Sequence, residues 1–327
     1  MARSEIPARS PPEGGRAASL SVGLNAAIVA ATAEEPRVLT IRFDAGIGEG
    51  LPSGPLEAEH RTLEIGLRTW VARQTRQQLG YVEQLYTFGD RDRMAAASAE
   101  PVRALTVAYL ALVREARPAG SADAAWQSWY RFFPWEDWRA GGPAGLDAML
   151  VHLNRWAAAT DDLEHRLRAE RIALAFGAAW NEELTLERYE LLYEAGLVAE
   201  AARDLGRPAP EEATVGAAMA FDHRRILATA IGRLRGKIKY RPVVFELMPP
   251  AFTLLQLQRT VEALSGVRLH KQNFRRLVEQ QGLVEETGEI SAATGGRPAR
   301  LVRFRREVLL ERPAPGLRLR AGRRSVG

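Results

Sequence analysis

Near the C-terminal end of the chain, apolar residues recur at helical spacing. They predict a helix that starts after Thr253 and ends at Gly266, and its apolar positions are Leu254, Leu257, Val261 and Leu264. Thr253 and Gln256 have the spacing of a capping box, in which the hydroxyl accepts a backbone N–H three residues on and the amide reaches back. Phe252 and Leu257 stand where a hydrophobic staple packs. These signals together predict a sharply defined helix start.

A second helix is predicted directly after a short turn, over residues 271–281, and Gly282 closes it. Its apolar residues Phe274, Leu277 and Val278 fall on one side, and its polar residues cover the rest of the surface. Two strand-like runs follow at 283–286 and 300–304, joined by a Gly-Gly-Arg-Pro loop. Helix, turn, helix and two basic strands form the arrangement of a winged helix-turn-helix.

This arrangement predicts a DNA-binding surface. The second helix would enter the major groove, where Arg, Asn and Gln side chains read base edges with paired hydrogen bonds. The wing arginines would reach phosphates or the adjacent groove. The alternative is a small helical domain whose exposed face is merely charged, but the agreement in register of all these signals favours DNA binding. The predicted DNA-binding residues are Lys271, Gln272, Asn273, Arg275 and Arg276 on the helix and Arg297, Arg300 and Arg303 on the wing.

The first half of the chain has the pattern of a mixed sheet with helices. Strands are predicted at 21–32, 37–43, 81–88, 102–113 and 128–133, and a helix after Leu51-Pro-Ser-Gly54 carries an apolar stripe. From about 135 to 216 the pattern is helical, with one long amphipathic helix over 146–167 that continues towards Phe176 and shorter helices at 185–195 and 197–205. A helix over 221–237 and a short strand at 242–248 lead to the winged helix.

Length and composition limit the classes of protein. A chain of 327 residues is long enough for two or three domains. The absence of cysteine excludes disulfides, thiol catalysis and cysteine-based zinc sites. No apolar run approaches the ~18–20 residues of a membrane span, and residues 1–19 have the composition of a disordered tail, so a cytoplasmic location is expected.

Positive charge is concentrated at the C-terminal end. Residues 237–327 contain 18 Lys/Arg and 8 Asp/Glu, a net charge of +10, although the whole chain carries only +5. The preceding residues therefore have a net charge of −5. A basic end favours contact with phosphates, which releases counterions, and the acidic remainder favours a sensing or assembly role.

Several segments resemble the Nudix-related transcriptional regulators of NAD metabolism. They are LPSG at 51–54, YVEQLYTFGD at 81–90, FELMP at 245–249, NFRR at 273–276 and GGRPARL at 295–301. The long helical insert is similar to that of the alphaproteobacterial NAD-biosynthesis repressors in this family. The resemblance implies an α+β chain: a Nudix-like α/β/α sandwich at 20–240 with a helical insert at about 135–216, then a winged helix-turn-helix at 241–306 and a basic, disordered tail at 307–327.

The Nudix box itself departs from the family pattern. Counted from Gly54, the positions that carry metal-binding acids in active Nudix hydrolases hold His60, Thr69, Ala72 and Arg73, and only Arg68 is kept. Mg²⁺ needs oxygen ligands to act on a diphosphate, and Arg73 would place positive charge at the metal site. The chain is therefore expected to be no enzyme, with no catalytic residue and no metal site.

The Nudix-like domain then has two alternative roles. It keeps a nucleotide pocket without the chemistry, or it is only a dimerisation scaffold. The candidate ligand-binding residues are Arg42, Arg68 and Asp90, at the ends of predicted strands and on the box helix, although Arg68 has an alternative partner in Glu64 one turn earlier. The resemblance implies an adenine nucleotide effector of the ATP, NAD or ADP-ribose type and no required cofactor.

The leading hypothesis is a ligand-responsive transcriptional repressor of NAD biosynthesis or related metabolism. Its partners would be double-stranded operator DNA, the nucleotide effector and a second copy of itself, because a two-fold protein matches a palindromic site. One alternative is an active Nudix pyrophosphohydrolase that acts on ADP-ribose or a related nucleotide diphosphate. Another is an adaptor whose helical insert binds a partner protein, which leaves the NFRR helix unexplained.

Overall fold

A mixed β-sheet forms the centre of the N-terminal half of the computed structural model, which describes residues 20–43, 48–89, 103–114, 123–178, 180–208, 215–291, 298–311 and 316–317. The strands of this sheet are β1 (Leu20–Ala31), β2 (Pro36–Phe43), β3 (Gly48–Gly50), β4 (Ser53–Pro55), β5 (Tyr81–Phe88), β6 (Arg103–Leu112) and β7 (Ala124–Ser128). Their main order is β3-β2-β1-β6-β5, with β7 beside β2 and β4 beside β1. Strand β1 is central: it runs parallel to β6 and antiparallel to β2. Its continuous apolar run is typical of a strand covered on both faces.

Helices cover both faces of the sheet. Helix α1 (Leu63–Thr75) buries Leu67 and Val71 against Leu24 and Ile28 of β1. The opposite face, which includes Val29, belongs to a second core that continues through the remaining helices. These helices are α2 (Trp129–Phe132), α3 (Leu146–Ala158), α4 (Asp162–Phe176), α5 (Thr185–Glu194), α6 (Ala199–Asp204) and α7 (His223–Tyr240). The predicted α/β/α sandwich is confirmed.

The winged helix follows α7 after a 3₁₀ turn at Val243–Glu246. Its elements are α8 (Leu254–Ser265), α9 (Lys271–Gln280), β8 (Val284–Ser291), β9 (Ala299–Phe304) and a short α10 (Val308–Glu311). The predicted capping box is present: Gln256 N–H donates to the Thr253 hydroxyl at 3.1 Å, and the Gln256 side-chain oxygen accepts from Thr253 N–H at 2.7 Å. Gly266 ends α8 with a left-handed φ of 77°.

Several predictions of local structure are wrong. Residues 129–132 form helix α2 and not a strand, because Trp129, Phe132 and Phe133 are all fully buried and this i, i+3, i+4 spacing puts them on one side of a helix. The predicted strand at 242–248 is the 3₁₀ turn.

The predicted helix over 146–176 is two helices, since Asp161 accepts the N–H groups of Leu163 and Glu164 and starts α4 anew. The segment after Phe304 is also more ordered than predicted. Helix α10 forms there, and Leu317 N–H donates to the Ile238 carbonyl of α7 at 3.1 Å. The predicted tail at 1–19 lies outside the described residues, and so do residues 312–315 and 318–327 of the predicted tail at 307–327.

Candidate nucleic-acid interface and effector pocket

Helix α9 is held on the winged helix core by its apolar side. Phe274 and Val278 are buried, and Leu277 is half-buried. The other side presents only polar groups to solvent: Lys271, Gln272, Asn273, Arg275 and Arg276 are all exposed. Neither Arg275 nor Arg276 forms an ion pair with another described side chain. Their guanidinium groups are therefore available for base edges or phosphates.

The wing presents its arginines differently. Arg303 lies opposite Glu285 in the β8–β9 register, and its Nε donates to the Glu285 carboxylate at 2.6 Å. Arg300 donates to Glu286, also at 2.6 Å. Both arginine side chains remain mostly exposed, at 75% for Arg300 and 63% for Arg303. Sequence reasoning missed the two glutamates, of which Glu285 could have been expected from its place opposite Arg303 in the paired strands. The third predicted wing residue, Arg297, lies outside the described residues.

The C-terminal end of α8 is fastened to the rest of the protein. Trp138 N–H donates to the Gly266 carbonyl at 2.7 Å, and the Tyr130 hydroxyl donates to the Ala263 carbonyl at 2.6 Å. Burial raises the pKa of Tyr130 to about 12, so the hydroxyl keeps its proton near neutral pH. Arg235 of α7 completes the set, since its Nε donates to the Leu264 carbonyl at 2.9 Å. These bonds satisfy carbonyls that have no partner within the helix.

A buried ionic network lies behind this contact. Its carboxylate is that of Glu136, in the 3₁₀ turn after α2, and its guanidinium groups are those of Arg188 in α5 and Arg235 in α7. The side chains of Glu136 and Arg188 are fully buried. Both guanidinium groups bond the Glu136 carboxylate, one of them with Arg188 Nη2 at 3.0 Å from Oε2. Burial alone would raise the pKa of Glu136, but the two guanidinium groups outweigh it and hold this pKa below the usual range. The network joins the insert, α7 and the segment on which α8 rests.

The residues of the degenerate Nudix box hold local structure. Arg73 lies 3.6 Å from the Glu57 carboxylate, and His60 accepts the Glu57 N–H at 3.1 Å through Nδ1. The Thr69 hydroxyl donates to the Ile65 carbonyl within α1. Within the described residues, no group of three His, Asp or Glu side chains could hold a metal ion. The residues at the box positions thus do not fit Mg²⁺, because an arginine ion pair stands where carboxylate ligands are required.

The three predicted pocket residues are not brought together by any contact that the structure shows. Arg68 pairs with Glu64 at 2.9 Å, which was the alternative to ligand binding, and its Nη2 also donates to the Gly80 carbonyl at 3.2 Å. Arg42 is exposed on β2. Asp90 lies outside the described residues. A role of these residues in ligand binding therefore stays a prediction.

Among the described residues, no helix is both long and apolar enough to cross a bilayer.

Residues 244–304 match the family described as the NrtR DNA-binding winged helix domain. A curated relative from Acinetobacter baylyi, the ADPR responsive transcriptional repressor NtrR, is 45% identical over 86 residues, which is 26% of this chain and 34% of the relative. The chain is thus matched to about a third of that relative's length.

Two solved structures resemble the chain over most of its length. Shewanella oneidensis NrtR in complex with a 27mer DNA matches with a TM-score of 0.52 at 21% identity. The match covers 88% of this chain and 94% of the Shewanella chain. A MutT/nudix family protein from Enterococcus faecalis also matches with a TM-score of 0.52, at 15% identity. This match covers 89% of this chain and 90% of the Enterococcus chain. At these identities the likeness shows the fold alone. The C-terminal residues therefore match the NrtR type of winged helix, and the chain as a whole has the fold of a Nudix domain followed by that winged helix.

Proposed function

We propose that this protein is a DNA-binding transcriptional repressor of NAD biosynthesis or related metabolism, and that its Nudix-like domain senses a nucleotide. The single observation that carries the proposal is the exposed Gln/Asn/Arg face of α9, within residues that match a DNA-binding family. The net charge of +10 over residues 237–327 supports it, because basic residues favour contact with phosphates. The sensing domain would span residues 20–240 and the DNA-binding domain 241–306.

The helix and the wing would contribute unequally to DNA binding. Arg275 and Arg276 give up no ion pair when they meet DNA, whereas Arg300 and Arg303 must exchange glutamate partners for phosphates. We therefore expect the helix arginines to supply most of the sequence-specific free energy, together with Gln272 and Asn273. The wing arginines and Lys271 would add contacts that depend strongly on salt.

The experiment is a binding titration with DNA from upstream of the gene itself, in competition with unrelated DNA. Arg275→Ala or Arg276→Ala should weaken specific binding by about 1–3 kcal/mol while the melting temperature stays that of the wild type. Arg207→Ala, which removes an exposed arginine of the insert, is the matched control and should bind normally. Wild-type affinity in both helix variants would show that α9 does not read the operator.

The effector would be an adenine nucleotide. The Acinetobacter relative is named as responsive to ADPR, which supports ADP-ribose ahead of ATP and NAD. No cofactor would be required, and Arg42, Arg68 and Asp90 remain the proposed contacts. If none of the three nucleotides binds, the Nudix-like domain is a dimerisation scaffold.

The protein would act as a homodimer without catalytic activity. Two recognition helices related by a two-fold axis match two half-sites about one helical turn, or ~34 Å, apart. Loss of hydrolysis is supported by the Arg73–Glu57 ion pair at the position of the metal ligands. An active pyrophosphohydrolase remains the second candidate, favoured by the retained Nudix fold.

A further inference from the structure

Helix α4 of the insert leaves one apolar face open to solvent. Leu163, Leu167 and Leu174 are 63%, 53% and 64% exposed, and they lie within about 40° of one another around the helix. The opposite side of the same helix buries Ile172 and Phe176 in the core. An exposed leucine stripe on a helix that is already anchored by its other side marks a contact surface.

Two charged side chains beside this face have no ion-pair partner among the described residues. Glu170 lies between the leucines, and Arg166 flanks them on one side. Neither forms an ion pair with any described side chain, and Arg166 donates only to the Asp162 carbonyl, at 3.1 Å. The other two arginines of the helix are paired within the chain: Arg168 bonds Glu164, and Arg171 bonds acids of α5. Arg166 and Glu170 therefore stay available for a partner.

The positions of the leucines and charges along α4 match those of a second, antiparallel copy of the same helix. Leu163 and Leu174 lie on opposite sides of the midpoint between residues 168 and 169, at the same distance from it. Leu167 and Glu170 form a second such pair, closer to the midpoint. In an antiparallel pair of α4 helices with a two-fold axis at that midpoint, Leu163 meets Leu174 of the second copy at both ends. Leu167 is then level with Glu170 of the second copy, and the two Leu167 residues lie about three residues, roughly 4.5 Å along the axis, from each other on either side of the two-fold axis. Arg166 then lies about one residue, roughly 1.5 Å along the axis, from the level of Glu170 of the other copy and on the same side.

We infer that α4 is the homodimer contact of this protein, with two leucine layers and two reciprocal Arg166–Glu170 ion pairs across the two-fold axis. The proposed function requires a dimer but leaves its interface open, and this contact deepens that proposal. A helix of 15 residues is only about 22 Å long, so the α4 pair is the centre of the interface and not the whole of it.

Charge reversal tests the contact in the full-length chain. Arg166→Glu and Glu170→Arg each place two like-charged pairs at the interface and should weaken self-association at least about tenfold at low salt. A mixture of the two variants should form dimers with wild-type affinity, because each variant then supplies the charge that the other lacks. Sedimentation equilibrium over a concentration series measures all three.

Leucine substitution provides a second, independent measurement. Leu167→Ser should weaken the dimer at least about tenfold, whereas Leu205→Ser, at a leucine of the insert that is 58% exposed, should not. All of these positions are at the surface, so the thermal melts should match the wild type.

A wild-type protein that stays monomeric, or variants that dimerise normally, would overturn the inference. Failure of the mixture to associate would also overturn it, because an unrelated partner or a parallel arrangement gives no such rescue. The proposed function has a separate readout. If dimers behave as expected but Arg276→Ala binds the operator like the wild type, the α4 contact stands and the DNA-reading role of α9 fails.

Discussion

Glu136 binds two arginines from distant parts of the chain in a place that water does not reach. Removal of one member of a buried ionic network leaves the others uncompensated, at a cost of about 3–5 kcal/mol. We predict that Glu136→Gln lowers the free energy of unfolding in urea by that amount, since Arg188 and Arg235 then face each other without a carboxylate. Glu59→Gln, at an exposed carboxylate, should change it by less than about 0.5 kcal/mol. Equal stability of the two variants would contradict the network's role.

Glu136 also makes the stability of the protein depend on pH. The pKa of Glu136 in the folded state lies below its value in the unfolded chain, about 4.3. Its contribution is therefore complete above about pH 4.3 and is lost as the pH falls through the folded-state pKa. Urea titrations between pH 7 and 3 should show a smaller loss of stability on acidification in Glu136→Gln than in the wild type.

Arg73 bears on whether the chain can be an enzyme. Its ion pair with Glu57 leaves no carboxylate set for Mg²⁺ at the box, so we predict no Mg²⁺-dependent hydrolysis of ADP-ribose or NADH. AMP release under turnover conditions measures this. If turnover appears and Glu57→Gln, Glu59→Gln or Glu64→Gln removes it, a relocated metal site exists. Turnover that survives all three substitutions would show that the box is misaligned.

Among single residues, the sequence predicts those features that depend on local spacing alone. The exposure of Arg275 and Arg276 and the pairing of Arg68 with Glu64 could each be expected from one helix. The burial of Arg188 could not, because its carboxylate partner is 52 residues away in the chain. This buried ionic network forms only when three segments that are distant in the sequence pack together in the fold.

Gly266 shows how closely helix α8 approaches the segment after α2. Its φ of 77° requires glycine for conformational reasons, and a Cβ there would also collide with the Glu136 carbonyl oxygen. We predict that Gly266→Ala combines left-handed strain with a lost helix contact and destabilises the protein by more than the ~1 kcal/mol of strain alone.

A glycine in the wing serves as the control for that substitution. Gly288 has a similar φ of 83°, but a Cβ there would meet nothing within 4 Å. Gly288→Ala should therefore cost only the strain, and urea denaturation would compare the two variants. If Gly266→Ala is no more destabilising than Gly288→Ala, the approach of α8 to Glu136 contributes nothing to stability.

Whole elements were predictable where one face alone decides the pattern. Helix α9 has its predicted position because a single apolar side is buried. Helices α3 and α4 were joined in the prediction because the leucines continue across both at helical spacing. The structure buries Met149 and Leu153 but exposes Leu163 and Leu167, so the second part of the stripe faces outward. Periodicity shows that a face is apolar and does not show what covers it.

At the scale of the whole molecule, the two domains are continuous. One hydrophobic core extends from Val29 of the sheet through Ile231 of α7 to Leu264 of α8. The end of α8 also receives hydrogen bonds from Tyr130, Trp138 and Arg235. A change in the sheet domain would therefore be transmitted to the winged helix, because closely packed interiors shift as units and not by gradual deformation.

This continuity leads to a prediction about regulation. A nucleotide that prefers one placement of the winged helices must change the affinity for operator DNA, and the operator must change the affinity for the nucleotide by the same factor. We expect a factor of about 5–150, equivalent to 1–3 kcal/mol. Calorimetric titration of ADP-ribose, NAD and ATP into the protein, alone and with operator, measures it.

Tyr130→Phe shows whether the contact with α8 carries this coupling. The substitution removes only the hydroxyl that donates to the Ala263 carbonyl, so both binding sites stay intact and the fold loses about 1 kcal/mol. We predict that the nucleotide and the operator each still bind, but that the factor between them falls towards one. Tyr86→Phe, at a tyrosine that is 62% exposed on β5, should leave the factor unchanged.

If a nucleotide binds and the operator leaves its affinity unaltered in the wild type, the Nudix-like domain binds a ligand without regulating the affinity for DNA. If the coupling is present and survives in Tyr130→Phe, the signal reaches α8 through Arg235 and the shared core instead.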